Sequence, residues 1–587
     1  MRRQTKKKPI KLGANLRPMA SSLAMFADSC GRPDRGKKFR KIKIRTKKSV
    51  DDYIQSSVFV SAPERPTYFA KLNGLVEEHL DSQRDATFDR ESEIVGEDFR
   101  ALIDTYGGKY AGLRLFHSAL KRMDIDTSNV GKLRFVGFDR RIYDEVEERL
   151  NELGLVSGRG DYLQLLCEHK DKLKSGIESV EKLVGKRFAE VKQLPYRFNI
   201  RTSAGFEFGG PPGFLESTMV DERKNRTETE KIRLMFNFLL NFYNHKVYEG
   251  IIPDGVGFSP LVQRAIFPDQ SAFIFSSLPN ANGEGVIVES VLGHAEGIAK
   301  GGHSVYTRVN NGKVEEIVNS FSRLPFVFRV NGEDNMEFHI GNALAAIHQK
   351  KDYQKEWEKH HRKRMKIWES ATHKINGGYS PMSMEDLKFL EELGRGLEDM
   401  LGYPVKVEIS KVGSTFYPLQ LDPLSVKVDK SYDLTIPKGA IQFVNTPFVN
   451  KPFRAEGRMA YGPYDAIGKL EEEMIYLARW EDGEGVLRMD PDLLVHYCDN
   501  VQGVLSARTG AKTCHSAGGL YDFKGFIGSN AGYGPLSYLF DRDKESHITS
   551  TPFKVVLVSD GERGVGYVPP SEMRTFRNAV RRREYWK

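Results

Sequence analysis

A histidine near the end of the chain has neighbours that suit it for nucleophilic chemistry. His515 lies in the segment Ala511-Lys512-Thr513-Cys514-His515-Ser516-Ala517, with Gly510 before it and Gly518-Gly519 after it. Small side chains and glycines leave room for one ring nitrogen to reach solvent. Imidazole is largely neutral near pH 7, so that nitrogen can attack a phosphoryl group. Most lone histidines are structural or solvated, so this interpretation depends on a nucleotide site elsewhere in the chain.

Two upstream segments place a cation beside glycines or hydroxyls, as phosphate sites do. In Gly107-Gly108-Lys109 the glycine pair lets backbone amides approach phosphate oxygens, and the lysine adds a charge. Arg201 ends a predicted strand and enters the loop Thr202-Ser203-Ala204-Gly205, where a forked guanidinium and hydroxyls suit a polyphosphate. The alternatives are a turn before a surface helix for Lys109 and an ion pair with a nearby acid for Arg201.

Alternating apolar residues between 257 and 318 predict several strands of one sheet. Gln263 lies in one of these strands and Glu289 in another that we expect to be its neighbour. A strand end can offer adenine its backbone hydrogen bonds, and a nearby carboxylate can hold ribose hydroxyls. Gly293 follows, where a tight bend is expected. The alternative for each is an ordinary edge residue.

A predicted hairpin further along the chain carries two hard oxygen ligands. Glu408 and Gln420 lie on strands that a short Val412-Gly413-Ser414 turn separates. Pairing of the strands would bring both side chains to one face, where a carboxylate and an amide oxygen suit Mg²⁺ beside phosphates. A half-exposed hairpin with polar outward positions is the alternative.

The order of these segments resembles that of the phosphoenolpyruvate synthase and pyruvate phosphate dikinase family, which includes rifampin phosphotransferase. The resemblance covers about residues 100–587 and consists of degenerate motifs with similar spacing. Residues 107–113 are similar to the family's GGK-x-A-N-L segment, 198–204 to V-R-S-S-A, 262–264 to V-Q-R and 288–296 to E-A-x-x-G-L-G-E. Residues 407–408 fall where D-I-E-W is expected, and 419–423 where L-Q-x-R-P is expected. Residues 503–510 and 513–517 are similar to the pattern G-x-V-T…G-G-x-T-S-H-A-A. The pair Val558-Ser559-Asp560-Gly561 and Gly564-Val565-Gly566-Tyr567 is similar to its closing strands.

The resemblance implies an α+β or α/β multidomain chain: an ATP-grasp-like domain followed by a smaller swivelling β/β/α phosphohistidine domain. The expected parts begin with a basic flexible tail at 1–50 and an unassigned extension at 51–100. Two ATP-grasp-like subdomains follow at 101–245 and 246–425, then a hinge at 426–437 and the swivelling domain at 438–587. The family's chemistry implies ATP and Mg²⁺ as ligands and an unidentified phosphoryl acceptor. By carry-over, Lys109 and Arg201 would hold the ATP phosphates and take part in catalysis with His515, the phospho-carrier. Gln263 and Glu289 would lie at the adenosine, and Gly293 would be a further ATP-binding residue. Glu408 and Gln420 would hold the metal.

Two departures from the family pattern reverse charges at the expected reaction centre. Lys406 stands where the family has a metal-binding aspartate, and Asp422 stands where it has an arginine that stabilises the transferring phosphate. A lysine there disfavours Mg²⁺ and an aspartate repels phosphate, although the double change keeps the local net charge. The family's phosphoenolpyruvate/pyruvate barrel and a separate drug-binding domain are not evident in this sequence.

Charge is unevenly placed along the 587 residues. Residues 1–48 hold 17 Lys/Arg and two acids, whereas the chain as a whole has a net charge of +9. Such a run is expected to be a flexible solubilising arm or a contact for a polyanion such as nucleic acid. The four cysteines form no CxxC pair, and no apolar stretch is long enough to span a membrane. A cytoplasmic protein is expected.

Two functions are therefore open. The first is an ATP-dependent phosphotransferase that uses a phosphohistidine. The second is a catalytically degenerate relative that serves as a binding or structural protein and contacts a polyanion through its basic tail. Lys406 and Asp422 motivate the second.

Overall fold

The computed structural model describes a mixed α/β protein. Its longer described stretches are 65–152, 197–209, 218–221, 256–277, 285–295, 304–319, 371–424, 432–447, 451–460, 473–478, 501–506, 525–528 and 550–584, with a few short stretches and single residues between them. The expected hinge is described only from 432 onward, and His515 lies outside the described residues. Among the described helices, none combines the length and the apolar character that a membrane crossing requires.

Helices dominate the first described part, including the extension that the sequence left unassigned. They are α1 Arg65–Asp85, α2 Asp89–Val95, α3 Phe99–Tyr106, α4 Gly108–Leu120 and α5 Arg141–Glu152. Asp98 caps α3, because its side chain accepts a hydrogen bond from the backbone N–H of Ala101. Gly107 separates α3 from α4. The alternative of a turn before a surface helix is confirmed for the turn but was wrong about the surface, because Ala111, Leu115 and Phe116 of α4 are buried.

A four-stranded antiparallel sheet follows from segments far apart in the chain. Its strands are β1 Phe135–Gly137, β2 Arg197–Ala204, β3 Thr218–Asp221 and β4 Phe258–Arg264, in the order β1-β4-β2-β3. Arg201 pairs with Leu261, so the two family-like segments at 198–204 and 262–264 lie side by side. We refer to this sheet as sheet 1.

Four strands continue the chain as an antiparallel meander. They are β5 Gln270–Phe275, β6 Val286–Leu292, β7 Val305–Asn310 and β8 Lys313–Asn319. The expectation that these strands share one sheet with β4 was wrong, since β4 belongs to sheet 1. Gln263 and Glu289 are therefore not on neighbouring strands. Periodicity identified the strands, but it cannot assign them to sheets because pairing depends on contacts between distant residues.

Two short hairpins and a long helix precede the last strands of this sheet. The hairpins are β9 Arg329–Asn331 with β10 Asn335–Glu337, and β11 His373–Ile375 with β12 Gly378–Ser380. The helix α6 spans Met384–Leu401 and begins with a capping box, in which the Ser383 and Asp386 side chains each accept from the other's backbone N–H.

The predicted hairpin is confirmed as β13 Val405–Val412 and β14 Thr415–Pro423, with Glu408 directly opposite Gln420. It joins β5 and completes a sheet of order β14-β13-β5-β6-β7-β8, which we call sheet 2. Because side chains alternate along a strand, Val405, Val407 and Ile409 face the apolar core with α6, whereas Lys406 and Glu408 face the opposite side. The core side includes leucines of α6 that are at most 2% exposed.

In the C-terminal part, the described residues form a seven-stranded sheet and a helix that packs on it. Its strands are β15 Ile441–Thr446, β16 Pro452–Ala460, β17 Met474–Ala478, β18 Val501–Ser506, β19 Gly525–Gly528, β20 Ser550–Asp560 and β21 Gly564–Val568. The order is β15-β21-β20-β16-β17-β18-β19, and β16 to β19 run parallel. Phe576 of α7, Met573–Glu584, packs on this sheet.

Candidate functional site

Arg201 joins sheet 1 to sheet 2 through a group of hydrogen bonds. Its Nη1 donates to Gln263 Oε1 at 3.0 Å and to the carbonyl of Leu419 at 3.1 Å, and its Nη2 donates to Gln420 Oε1 at 2.9 Å. Glu408 Oε2 lies 3.8 Å from Nη2. We call Arg201, Gln263, Glu408 and Gln420 the Arg201 cluster. It brings together four residues that the sequence proposed from four separate segments.

An irregularity in the β13–β14 ladder explains why Leu419 can accept from this cluster. The register steps from Glu408↔Gln420 to Ile409↔Pro418, which leaves Leu419 as an extra residue without a partner in the ladder. Such a bulge frees backbone groups and re-aims side chains. The carbonyl of Leu419 accepts from Arg201 and also from Gln263 Nε2 at 3.1 Å. Pro418 is tolerated here because β14 is an edge strand.

Lys109 lies beside the cluster on α4. Its Nζ donates to Glu207 Oε1 at 2.6 Å and to Thr202 Oγ1 at 3.0 Å, next in sequence to Arg201. Glu207 also accepts from Thr202 Oγ1 at 3.0 Å and, through Oε2, from the N–H of Ala204 at 2.7 Å. The Lys109 and Glu207 side chains are 13% and 8% exposed. A phosphate that used the Lys109 ammonium would therefore have to compete with a partly buried carboxylate.

The glycine pair beside Lys109 has a packing role. Gly107 has a φ of +77°, and a Cβ there would lie 1.7 Å from the carbonyl oxygen of Ser203; a Cβ on Gly108 would lie 2.2 Å from the N–H nitrogen of Phe208. Glycine is required because helix and loop backbones touch at this point. Ser203 Oγ further accepts from the N–H of Tyr110 at 3.1 Å and donates to the carbonyl of Tyr106 at 2.7 Å. These contacts fix the first turn of α4, and with it Lys109, against β2.

Glu289 lies on the same face of sheet 2 but two strands away from the Arg201 cluster. Glu408 pairs with Phe273, and Phe273 pairs with Glu289, so the three form one row across the sheet. Strands are about 4.8 Å apart, which separates the backbones of the two glutamates by about 10 Å. Glu289 is fully buried and accepts from Ser304 Oγ at 2.6 Å.

Two further features complete the neighbourhood of Glu289. Burial raises the pKa of Tyr306, its partner on β7, to about 12. Gly293 lies just past β6 with a φ of +81°, so the predicted bend is confirmed. Its N–H donates to the carbonyl of Asp269 at 2.7 Å, and its carbonyl accepts from Ser271 Oγ at 2.8 Å.

The two charge-reversing residues pair with each other. Lys406 and Asp422 are direct partners across the β13–β14 ladder, and Lys406 Nζ lies 3.0 Å from Asp422 Oδ2. Their side chains are 9% and 6% exposed. Asp422 Oδ2 also accepts from Gln420 Nε2 at 2.8 Å, which links this pair to the Arg201 cluster.

Sequence reasoning proposed the cations of this site but did not propose Glu207, which binds Lys109. A detectable feature existed, because Glu207 lies three residues after Ala204 at the end of a strand, the spacing of a local cap. The Lys406–Asp422 contact was also not anticipated, although the predicted hairpin register places the two residues opposite each other.

A cavity of about 200 Å³ lies beside the first turn of α4. Three arginines line it, but they are engaged elsewhere: Arg100 binds backbone carbonyls at the end of α1, Arg84 pairs with Asp81 and Arg140 with Asp144. These contacts favour a structural role for the arginines around the cavity.

No group of three or more His, Cys, Asp or Glu side chains within the described ranges is arranged to hold a metal. Glu408, Gln420 and Asp422 nevertheless form a set of two carboxylates and one amide on one face. Mg²⁺ in nucleotide sites usually takes one or two carboxylates plus phosphate oxygens, so this donor set fits that ion. Comparison with protein-family models and with curated proteins found no match for the chain.

Proposed function

We propose that the chain binds ATP with Mg²⁺ where sheet 1 meets sheet 2, and passes a phosphoryl group through His515 to a second acceptor. The observation that carries the proposal is the convergence of four residues around Arg201: Gln263 and Gln420 accept its hydrogen bonds, and Glu408 lies at ion-pair distance, with Lys109 nearby. The four were selected from separate segments because they resemble one family's ATP site. Chance placement over the fold would scatter them.

Phosphoryl transfer from ATP to His515 would need little covalent catalysis from other residues of the protein. Phosphoryl transfer depends mainly on alignment and on neutralisation of charge around the phosphates. The Arg201 guanidinium and the Lys109 ammonium would supply positive charge. The His515 ring nitrogen would form a P–N bond while the P–O bond to the departing part of ATP breaks, and the ring would release its other proton to solvent.

The proposed architecture is an ATP-grasp-like pair of subdomains that contains sheets 1 and 2, followed by a swivelling domain that contains the seven-stranded sheet. In the chain, His515 falls in the connection between the parallel neighbours β18 and β19. Functional residues of sheets with parallel strands commonly follow the carboxyl ends of the strands. Tyr432, Leu434 and Ile436, from the expected hinge, pack on Val556 and its neighbours in β20 and β21. The C-terminal half of the connector would therefore move with that sheet.

Radiolabelling tests this function. Incubation with β- or γ-³²P-labelled ATP and Mg²⁺ should place an acid-labile label on the wild-type chain and none on His515→Ala. His373→Ala, which changes an exposed histidine in β11, is the control and should label normally. Absence of label with either nucleotide would reject the phosphotransferase.

A second function has one specific observation in its favour. The Lys109 and Lys406 ammonium groups are both paired with carboxylates, so their charge is already neutralised. This would suit a binding protein in which the fold persists without catalysis, and in which residues 1–48 contact a polyanion. Deletion of 1–48 should then abolish binding to nucleic acid and flatten its dependence on salt. Unchanged binding after the deletion would reject that role for the tail.

A further inference from the structure

The Lys406–Asp422 pair keeps both charges of the family-like pattern but places them on opposite strands. The resemblance calls for a carboxylate on β13 and a cation on β14, whereas this chain has Lys406 on β13 and Asp422 on β14. The two are direct ladder partners joined at 3.0 Å. A direct partner on the same face is the nearest position to which a carboxylate could move without leaving the site.

One oxygen of Asp422 is unused. Oδ2 accepts from Lys406 and from Gln420 Nε2, but Oδ1 is buried and has no hydrogen-bond partner among the described residues. The residue as a whole is 5% exposed. A buried carboxylate oxygen without a partner is unfavourable, because the loss of its hydration is not compensated. Such an atom points to a ligand that completes it.

The surroundings favour a divalent cation as that ligand. Asp422 and Glu408 are diagonal neighbours on one face, a spacing that long side chains can bridge. Lys406 holds Oδ2, so Oδ1 is the oxygen that remains for a metal. A proton donor could also satisfy Oδ1, but the nearby Lys406 and Gln420 donors are already directed at Oδ2.

Resting on the proposed function, we infer that Asp422 supplies the second carboxylate of the divalent-cation site, together with Glu408. In this arrangement Lys406 is a positioning residue that orients the Asp422 carboxylate. The exchange of charges across the ladder thus preserves a metal site instead of destroying it. Its ligands would be hard oxygens, which suit Mg²⁺ or Mn²⁺.

Mn²⁺ binding to the full chain, read from the electron paramagnetic resonance signal of free Mn²⁺, tests this directly. Wild type should bind Mn²⁺, and Asp422→Asn should weaken binding about 10-fold or more, at least the loss that removal of a supporting residue produces. Asp386→Asn is the matched control, because Asp386 forms a similar pair with Lys411 of β13, at 2.6 Å; it should bind Mn²⁺ like wild type.

Two more variants distinguish the loss of a metal ligand from the loss of folding. The double variant Lys406→Asp with Asp422→Arg places the carboxylate on β13 and the cation on β14, as in the family-like pattern, and keeps a cross-strand ion pair. It should bind Mn²⁺ within about threefold of wild type. Lys406→Asp alone places three carboxylates on one face and should bind Mn²⁺ more tightly. Wild-type affinity in a folded Asp422→Asn, or no Mn²⁺ binding by wild type, would overturn the inference.

ATP binding without metal is measured in parallel by displacement of a fluorescent ATP analogue. Nucleotide binding with unaltered Mn²⁺ affinity in Asp422→Asn would leave the proposed function standing and remove Asp422 from the metal site. If Mn²⁺ binding depends on Asp422 but the chain binds no nucleotide, the metal site stands and the proposed function fails. The inference and the proposed function can therefore fail separately.

Discussion

The two faces of sheet 2 are built from the same strands, but one carries apolar side chains and the other carries charged and polar ones. On one face Val407, Ile409 and Ile274 are fully buried and pack with α6 and α4. On the other, Glu408 and Lys406 alternate with them along β13 and contact polar groups of sheet 1 and β14. An apolar pair would fill the second face at lower cost, since a buried ion pair often stabilises less than its apolar replacement. Burial of apolar surface therefore explains the apolar face, whereas the polar face needs another reason, which the proposed function would supply.

The strongest test of this contrast breaks the buried pair. Lys406→Met leaves the Asp422 charge uncompensated and should lower the free energy of unfolding by about 3–5 kcal/mol. Lys406→Met with Asp422→Leu removes both charges and should be neutral or stabilising. Urea titration gives the free energies, and hydrogen exchange of peptides from 405–423 localises the change. A double variant as unstable as the single one would show that the polar face has a structural role after all.

Neighbouring residues on β13 sharpen the contrast. Ile409→Ala removes buried apolar atoms and should cost about 2–5 kcal/mol of stability, with no change in the affinity for ATP. Glu408→Gln should cost less than about 1 kcal/mol, yet weaken binding of ATP with Mg²⁺. The measurements are urea titration and displacement of a fluorescent ATP analogue. If only Ile409→Ala loses nucleotide binding, the apolar face and not the polar face would be the one that matters for ATP binding.

Local patterns were sufficient to predict the β13–β14 hairpin. The Glu408–Gln420 pairing follows from the short turn between the two strands, and the start of α6 is likewise set by its own Ser383–Asp386 cap. Short-range patterns carry this information because helix caps and hairpin registers are set within a few residues. The division of β4 and β5 between two sheets was not predictable in this way, because it depends on pairings such as Arg201↔Leu261.

The polar face was predictable in composition but not in its connections. The resemblance selected Arg201, Gln263, Glu408 and Gln420, and the structure brings them together. The resemblance could not reveal that Glu207 binds Lys109, or that the carbonyl of Leu419, at the bulge, accepts from Arg201. Both contacts depend on loop and bulge geometry, which degenerate motifs do not specify.

Arg201 tests how firmly the polar face connects the two sheets. Arg201→Met would leave Oε1 of Gln263 and Oε1 of Gln420 without their donor, at a cost of about 1–3 kcal/mol. The Leu419 carbonyl would keep its bond from Gln263 Nε2, and water entering this partly exposed site would reduce the loss. Hydrogen exchange should increase at both β2 and β14. Arg264→Met, which changes an exposed arginine at the end of β4, is the control. Faster exchange at β2 alone would mean that Arg201 does not couple the sheets.

His117 provides the smallest test, from the apolar side of α4. Its ring stacks on Phe135 at 5.6 Å, and its Nε2 has no hydrogen-bond partner among the described residues. Burial, with help from Lys121 and Arg114, lowers its pKa from 6.5 to about 4. The unfolded chain therefore binds more protons between these values, so His117 reduces stability as the pH falls from 6.5 to 4. With allowance for partial solvation, the loss at pH 4 is about 1–2 kcal/mol.

His117→Phe keeps the ring stack and should remove that loss, so its unfolding free energy should fall less steeply than that of wild type between pH 6.5 and 4. Part of the slope should remain, because burial also lowers the pKa of His79. His373→Phe, at an exposed position, should follow wild type. The contrast with Lys406 is the reason for the experiment: a polar group with a buried partner should be costly to remove, whereas one without a partner should be costly to keep. Identical slopes in His117→Phe and wild type would contradict that distinction.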